Sequence, residues 1–187
     1  MSSIQLFYIP YKKVELRNTK IIRLEIKMSE EVIIRKARKE DFRQVHKLIV
    51  QVHNLHVKER SDIYKDIDPL CIESFIEKLS KDTNIYLVAV VENKIIGFCF
   101  SQIKEISNNE IMKDRKILHI EDICVDENNR KNGIGKKLYN KIIELAKEIN
   151  IDSIELMVWG FNKNAIKFYE SLGMNIKNLR FEQKVKQ

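Results

Sequence analysis

No run of about 18 apolar residues occurs anywhere in the chain, so no membrane-spanning helix is expected. The 187 residues include only two prolines and five glycines. That scarcity excludes a collagen-like repeat and a Gly/Pro-rich linker, and no internal repeat stands out. Cysteine is equally sparse: Cys71, Cys99 and Cys124 are odd in number, far apart and without metal-ligand spacing. They read as reduced, buried thiols of a cytoplasmic protein, and no metal site is expected. Residues 1–11 carry an apolar patch with no basic region before it and no small-residue cleavage site, so a signal peptide is not expected.

What is present suits one domain of somewhat above-average size. Apolar residues make up 44% and charged residues 33% of the chain, ordinary values for a globular protein with a real core. The net charge of +7 comes from Lys and Arg spread along the whole length. It favours a phosphate-rich ligand or a polyanion. No helix-turn-helix, zinc pattern or aromatic-interleaved basic stripe accompanies it, so a nucleic-acid partner is not expected.

Residues 1–27 contain an alternating stretch around Ile22, Leu24 and Ile26 and read as an extension to a domain spanning 28–187. Val32–Arg35 reads as a short strand. Glu40–Lys58 carries apolar residues at Phe42, Val45, Leu48, Ile49, Val52 and Leu55, the helical period. Asp68 and Pro69 form a helix start, a capping carboxylate followed by proline at the first helical position. Ile85–Val91 and Lys94–Ile106 predict a hairpin, and Lys116–Val125 the next strand. Gly133–Ile149 is helical, Ser153–Val158 a strand and Asn162–Leu172 a helix, with Gly173 as its left-handed cap. The remainder supplies one or two closing strands. This order predicts an α/β fold with a mixed sheet and helices on both faces.

The most informative segment runs from Ile120 to Leu138. A strand ends at Val125, a short loop follows, and a helix opens at two glycines, Gly133 and Gly135. Glycine lets the backbone approach a ligand closely. The unpaired N–H groups of a helix's first turn, backed by the helix dipole, suit phosphate. Arg130, Lys131, Lys136 and Lys137 surround the turn. A P-loop would need a hydroxyl where Lys137 stands. A dinucleotide fingerprint would need a third glycine where Leu138 stands.

The turn Arg130-Lys131-Asn132-Gly133-Ile134-Gly135 resembles the pyrophosphate motif of the GNAT superfamily of N-acetyltransferases, Gln/Arg-x-x-Gly-x-Gly/Ala. About 30 residues downstream, the stretch from Asn162 through Tyr169 to Gly173 resembles the same superfamily's Asn-x-x-Ala-x-x-x-Tyr-x-x-x-Gly-Phe motif. The resemblance covers roughly Met28 to the C-terminus. It implies a mostly antiparallel central sheet of six to seven strands and acetyl-CoA as co-substrate. It further implies backbone contacts to the pyrophosphate from residues 130–135, with Lys136 beside them. Ile123, Cys124 and Val125 would pair with the pantetheine arm, and Asn162 would touch pantetheine or substrate. Tyr169 would protonate the departing thiolate.

The implied reaction is direct attack of a small-molecule or peptide amine on the thioester within a ternary complex. The general base is less defined. Some members carry a Glu five residues ahead of the second motif, where this chain has Met157. Glu121 and Asp122 are the substitutes, and Glu121, sharing a strand face with Ile123 and Val125, is preferred. Cys124 as an acetyl carrier is set against the commoner buried thiol. His53, His56, Arg60 and Tyr64 lie where the family forms its acceptor cleft, against the alternative of a solvated helix face. An acyltransferase for another acyl group and a non-catalytic acyl-CoA sensor of the same fold stay open, as does a homodimer.

Overall fold

Apolar strands flanked by amphipathic helices form one sheet, five-stranded among the described residues, whose strands lie side by side in chain order. The computed structural model describes residues 31–185, so the expected extension at 1–27 lies outside the described residues. The strands are β1 (Ile33–Lys36), β2 (Asn84–Val91), β3 (Lys94–Ile106), β4 (Arg115–Val125) and β5 (Ser153–Leu156). The helices are α1 (Phe42–Glu59), α2 (Ile72–Leu79), α3 (Ile134–Glu148) and α4 (Lys163–Ser171). All strand pairs are antiparallel except β4 with β5.

The β2–β3 hairpin turns on Glu92 and Asn93, both at positive φ (47° and 66°). That pair of left-handed residues matches the right-handed twist of the flanking strands, as two-residue hairpins require. Alternation then divides the side chains. Tyr86, Val88, Val90, Phe98, Phe100 and Cys124 pack with Val45, Leu48 and Phe75 of α1 and α2. On the opposite face α3 lies against β3, where Gly97 leaves room for Leu138 and Ile134. Helices therefore cover both faces, as expected.

Asp41 ties the first strand to the first helix. Its carboxylate accepts from Arg35 Nη1 and Nη2 at 2.6 and 2.8 Å and from the Arg38 N–H at 2.8 Å. Burial alone would raise its pKa, but these donors and the Arg35 charge outweigh it and hold the carboxyl below its usual range.

Three expectations are corrected. Cys99 and Cys124 are buried as expected, but Cys71 is exposed, standing just before the second helix. The second helix begins at Ile72, not at Asp68–Pro69. Asp68 instead accepts from the Leu70 N–H (3.1 Å) and from the His46 ring (2.8 Å), closing a local turn before the helix. The sheet has five strands among the described residues, where six to seven were expected. Residues 174–185 alternate apolar and polar but pair with no strand; Glu182 and Lys184 are drawn instead to Arg60 and Asp62. Alternation makes a strand only where a neighbouring edge receives it.

Candidate active site

The site begins where two parallel strands part. Pairing of β4 with β5 ends at Ile120 with Leu156, while β4 continues to Val125 paired only with β3. The β3–β4 register also jumps: Phe100 faces Asp122 and Ser101 faces Ile120, leaving Glu121 as the extra residue of a bulge. The result is a notch whose one arm is residues 121–125, with no strand paired on the β5 side among the described residues. Residues 157–160 form the other arm. Gly97 supports the first arm at close range, since a Cβ there would stand 2.9 Å from the Cys124 carbonyl oxygen.

The turn after β4 is held by its own polar side chains. Asp126 accepts from the Asn128 N–H and the Asn129 amide, both at 3.0 Å. Gln51 of α1 donates to the Val125 carbonyl (3.3 Å) and accepts from the Glu127 N–H (3.2 Å). Arg130 Nε also donates to the Val125 carbonyl, at 3.2 Å. Lys131 and Gly133 both take left-handed backbone, φ 65° and 75°. Gly133 is the N-cap of α3 and offers no side chain to it. The N–H groups of Ile134, Gly135 and Lys136 therefore point out of the helix without intrahelical partners. Open space lies above Gly133, where an added Cβ would meet nothing within 4 Å. Anion binding fits this arrangement. Gly135 has a packing reason as well: a Cβ there would lie 3.1 Å from the Phe168 ring of α4.

Helix α4 opens on Asn162, whose Oδ1 accepts from the Ala165 N–H at 3.1 Å. That oxygen is committed to capping, and the amide nitrogen makes no hydrogen bond among the described residues. Gly173 ends the segment at φ 84°, as expected of a left-handed cap. Tyr169 is half-buried. Burial raises its pKa, and Cys99 and Asp122 add to the rise, so its hydroxyl stays protonated at neutral pH.

The bulge separates the two carboxylates differently from a regular strand. Glu121 accepts from the Tyr86 hydroxyl at 2.7 Å. Tyr86 stacks on Phe100 with ring centroids 4.0 Å apart. Asp122 is exposed to solvent, although many protein atoms surround its carboxylate. Burial, and then the Glu121 charge, push its pKa up to about 6, with Lys78 acting in the other direction. Cys124 is buried, its thiol 3.3 Å from the Gln51 amide, and burial pushes its pKa up to about 12. Such a thiol is not a nucleophile at neutral pH.

Residues at the end of α1 join the second arm of the notch. His56 stacks on Tyr64, centroids 4.9 Å apart. Trp159 donates its indole N–H to the Tyr64 hydroxyl at 3.0 Å, and Arg60 lies over the Trp159 ring, 4.8 Å from its centroid. His53 bonds the Lys65 carbonyl oxygen at 2.9 Å. These residues form an aromatic wall, not a plain solvated face. Sequence reasoning missed the parts played by Gln51 and Tyr86. Neither stood in a motif, and both act across elements 74 and 35 residues distant.

A family model described as the acetyltransferase (GNAT) family matches residues 49–174. An uncharacterized N-acetyltransferase of Methanocaldococcus jannaschii is 38% identical over 101 residues, 54% of this chain and 43% of that protein. The thialysine N-epsilon-acetyltransferase of Caenorhabditis elegans is 36% identical over 55 residues, 29% of this chain and 34% of that protein. These matches thus span less than half of either relative's length. Among solved structures, a mutant form of the BH1408 protein of Bacillus halodurans is 36% identical with a TM-score of 0.81, covering 82% of this chain and 99% of that one.

Proposed function

The chain belongs to the acetyltransferase (GNAT) family, and from that premise we propose that it transfers an acetyl group from acetyl-CoA to an amine by direct attack in a ternary complex. The observation that carries this reading is the notch of β4 and β5 opening beside the unpaired N-terminus of α3. The pyrophosphate of coenzyme A is assigned to the N–H groups of residues 130–135 and Lys136, with Arg130, Lys131 and Asn132 lining the approach. The pantetheine arm lies along Ile123, Cys124 and Val125 as an added strand, and the amide nitrogen of Asn162 meets it from α4. The thioester then sits in the notch, where free backbone N–H groups stabilise the oxygen as it becomes an oxyanion.

Proton traffic follows from the two flanking groups. The amine nitrogen bonds to the thioester carbon, the carbon–sulfur bond breaks, and the amine's proton passes to a carboxylate. Glu121 was the expected base, but its carboxylate is engaged by Tyr86. We assign the proton to Asp122, whose pKa of about 6 leaves it ionised yet basic near neutrality. Glu121 contributes the charge that raises it. Tyr169 gives its proton to the departing sulfur. The acceptor is a small-molecule or peptide amine, a reading supported by the thialysine specificity in the name of the nematode relative.

The test is thiol release from acetyl-CoA across a panel of primary amines. Turnover that requires both components supports the reading. Acetyl-CoA binding without turnover of any amine would instead favour an acyl-CoA sensor, and faster release from a longer acyl-CoA would redefine the acyl group.

A further inference from the structure

We propose that Arg60 and Asp62 form a receptor for the head group of an α-amino acid, and that the chain's own C-terminal segment occupies it as a stand-in. This deepens the acetyl-transfer reading above and rests on it. Arg60 donates from Nε and Nη2 to the two Asp62 oxygens at 2.9 and 3.1 Å, which places a cation and an anion side by side. Onto this pair the C-terminal segment delivers the opposite charges. Glu182 accepts from Arg60 Nη2 at 2.8 and 3.1 Å, and Lys184 reaches Asp62 Oδ2 at 2.9 Å. A carboxylate on the arginine and an ammonium on the aspartate are the two groups that an α-amino acid carries on a single carbon.

The stand-in is built to leave. Residues 174–185 have no regular secondary structure, the Glu182 side chain is 55% exposed, and exposed ion pairs contribute little. Both Glu182 oxygens crowd one guanidinium nitrogen, while Nη1 makes no hydrogen bond among the described residues. A free carboxylate can take the Nη1 and Nη2 edge together, the bidentate geometry that arginine favours. The receptor also adjoins the notch, because Arg60 rests on Trp159, three residues past the last residue of β5. An amino acid anchored there has its side chain beside the Tyr64–Trp159 wall. With its α-ammonium held charged by Asp62, the nitrogen left to be acetylated is a side-chain amine. Displacing Glu182 and Lys184 makes the C-terminal segment a competitive cover of the acceptor site.

Calorimetry on the full chain saturated with coenzyme A tests this with matched pairs: L-ornithine against 1,4-diaminobutane, and L-lysine against 1,5-diaminopentane. The amino acid of at least one pair binds about tenfold more tightly than its decarboxylated partner, and Arg60→Gln abolishes that difference. Because Arg60→Gln also removes packing on Trp159, Glu182→Gln on the exposed segment gives a second reading: it loosens the cover and tightens amino-acid binding several-fold. Equal or tighter binding of the diamines, or a Glu182→Gln chain with unaltered amino-acid affinity, overturns the proposal. Binding of no pair member while coenzyme A still binds overturns it and leaves acetyl transfer standing. Loss of coenzyme A binding itself overturns both.

Discussion

At the scale of single residues, the account turns on two protons. Tyr169→Phe keeps the ring and removes the acid, so kcat should fall by about 10²-fold or more with little change in the KM for acetyl-CoA; steady-state kinetics of the variant check this. Asp122 must be ionised to take the amine's proton. Activity should therefore rise with pH through about 6 and be lost as Asp122 protonates below it. Asp122→Asn should remove that limb from the kcat/KM profile. The sign for stability is opposite. A carboxyl whose folded pKa is raised contributes nothing where it is protonated in both states; its penalty to folding grows from about pH 4 and is complete above about pH 6. Asp122→Asn should thus melt higher than the parent at pH 7 while turning over more slowly. Of the candidate site, the left-handed glycines Gly133 and Gly173 were legible because a helix start and a helix end each tie glycine to a spacing along the chain. The different surroundings of Glu121 and Asp122 were not legible, since they depend on a bulge that only the β3–β4 register reveals.

At the scale of elements, the glycines of α3 have separable duties. Gly133→Ala forces a side chain into φ 75° and should cost about 1–2 kcal/mol of stability. Gly135→Ala drives a methyl toward Phe168, to 3.1 Å, displacing α4 and with it Tyr169. Its turnover should suffer beyond what any loss of acetyl-CoA affinity explains, and comparing kcat with the calorimetric Kd separates the two. The β2–β3 hairpin, α1, α3 and α4 were readable because each has a strong period and a punctuating turn or cap. The start of α2 was misplaced because Asp68 followed by Pro69 suits a turn as well as a helix cap, and His46, remote in sequence, decides between them. The closing strands were overcounted for a related reason: period two signals a potential strand, and only a receiving edge makes it real.

At the scale of the molecule, both layers of helix depend on the same sheet. Phe98, fully buried beside Phe100, is in the face that receives α1 and α2. Phe98→Ala should cost about 3–5 kcal/mol and lower the melting temperature by about 10 °C in a chain of this size. Acid should act through Asp41: its folded pKa is depressed, so its contribution is present above the unfolded value near 4 and is lost as pH falls through the folded one. The basic charge, +7 over the whole chain, favours a phosphate-rich co-substrate in general terms. The turn at residues 130–136, proposed above to hold the pyrophosphate, would give that preference an address.

Whether this turn and the adjoining notch hold coenzyme A is decided by thermal melting with and without acetyl-CoA, with NAD as the control. A ligand at a hundredfold excess over its Kd adds about 2.7 kcal/mol to folding. The melting temperature should rise several degrees with acetyl-CoA, not rise with NAD, and rise much less in Gly133→Ala. No shift with acetyl-CoA, or an equal shift with NAD, would contradict it.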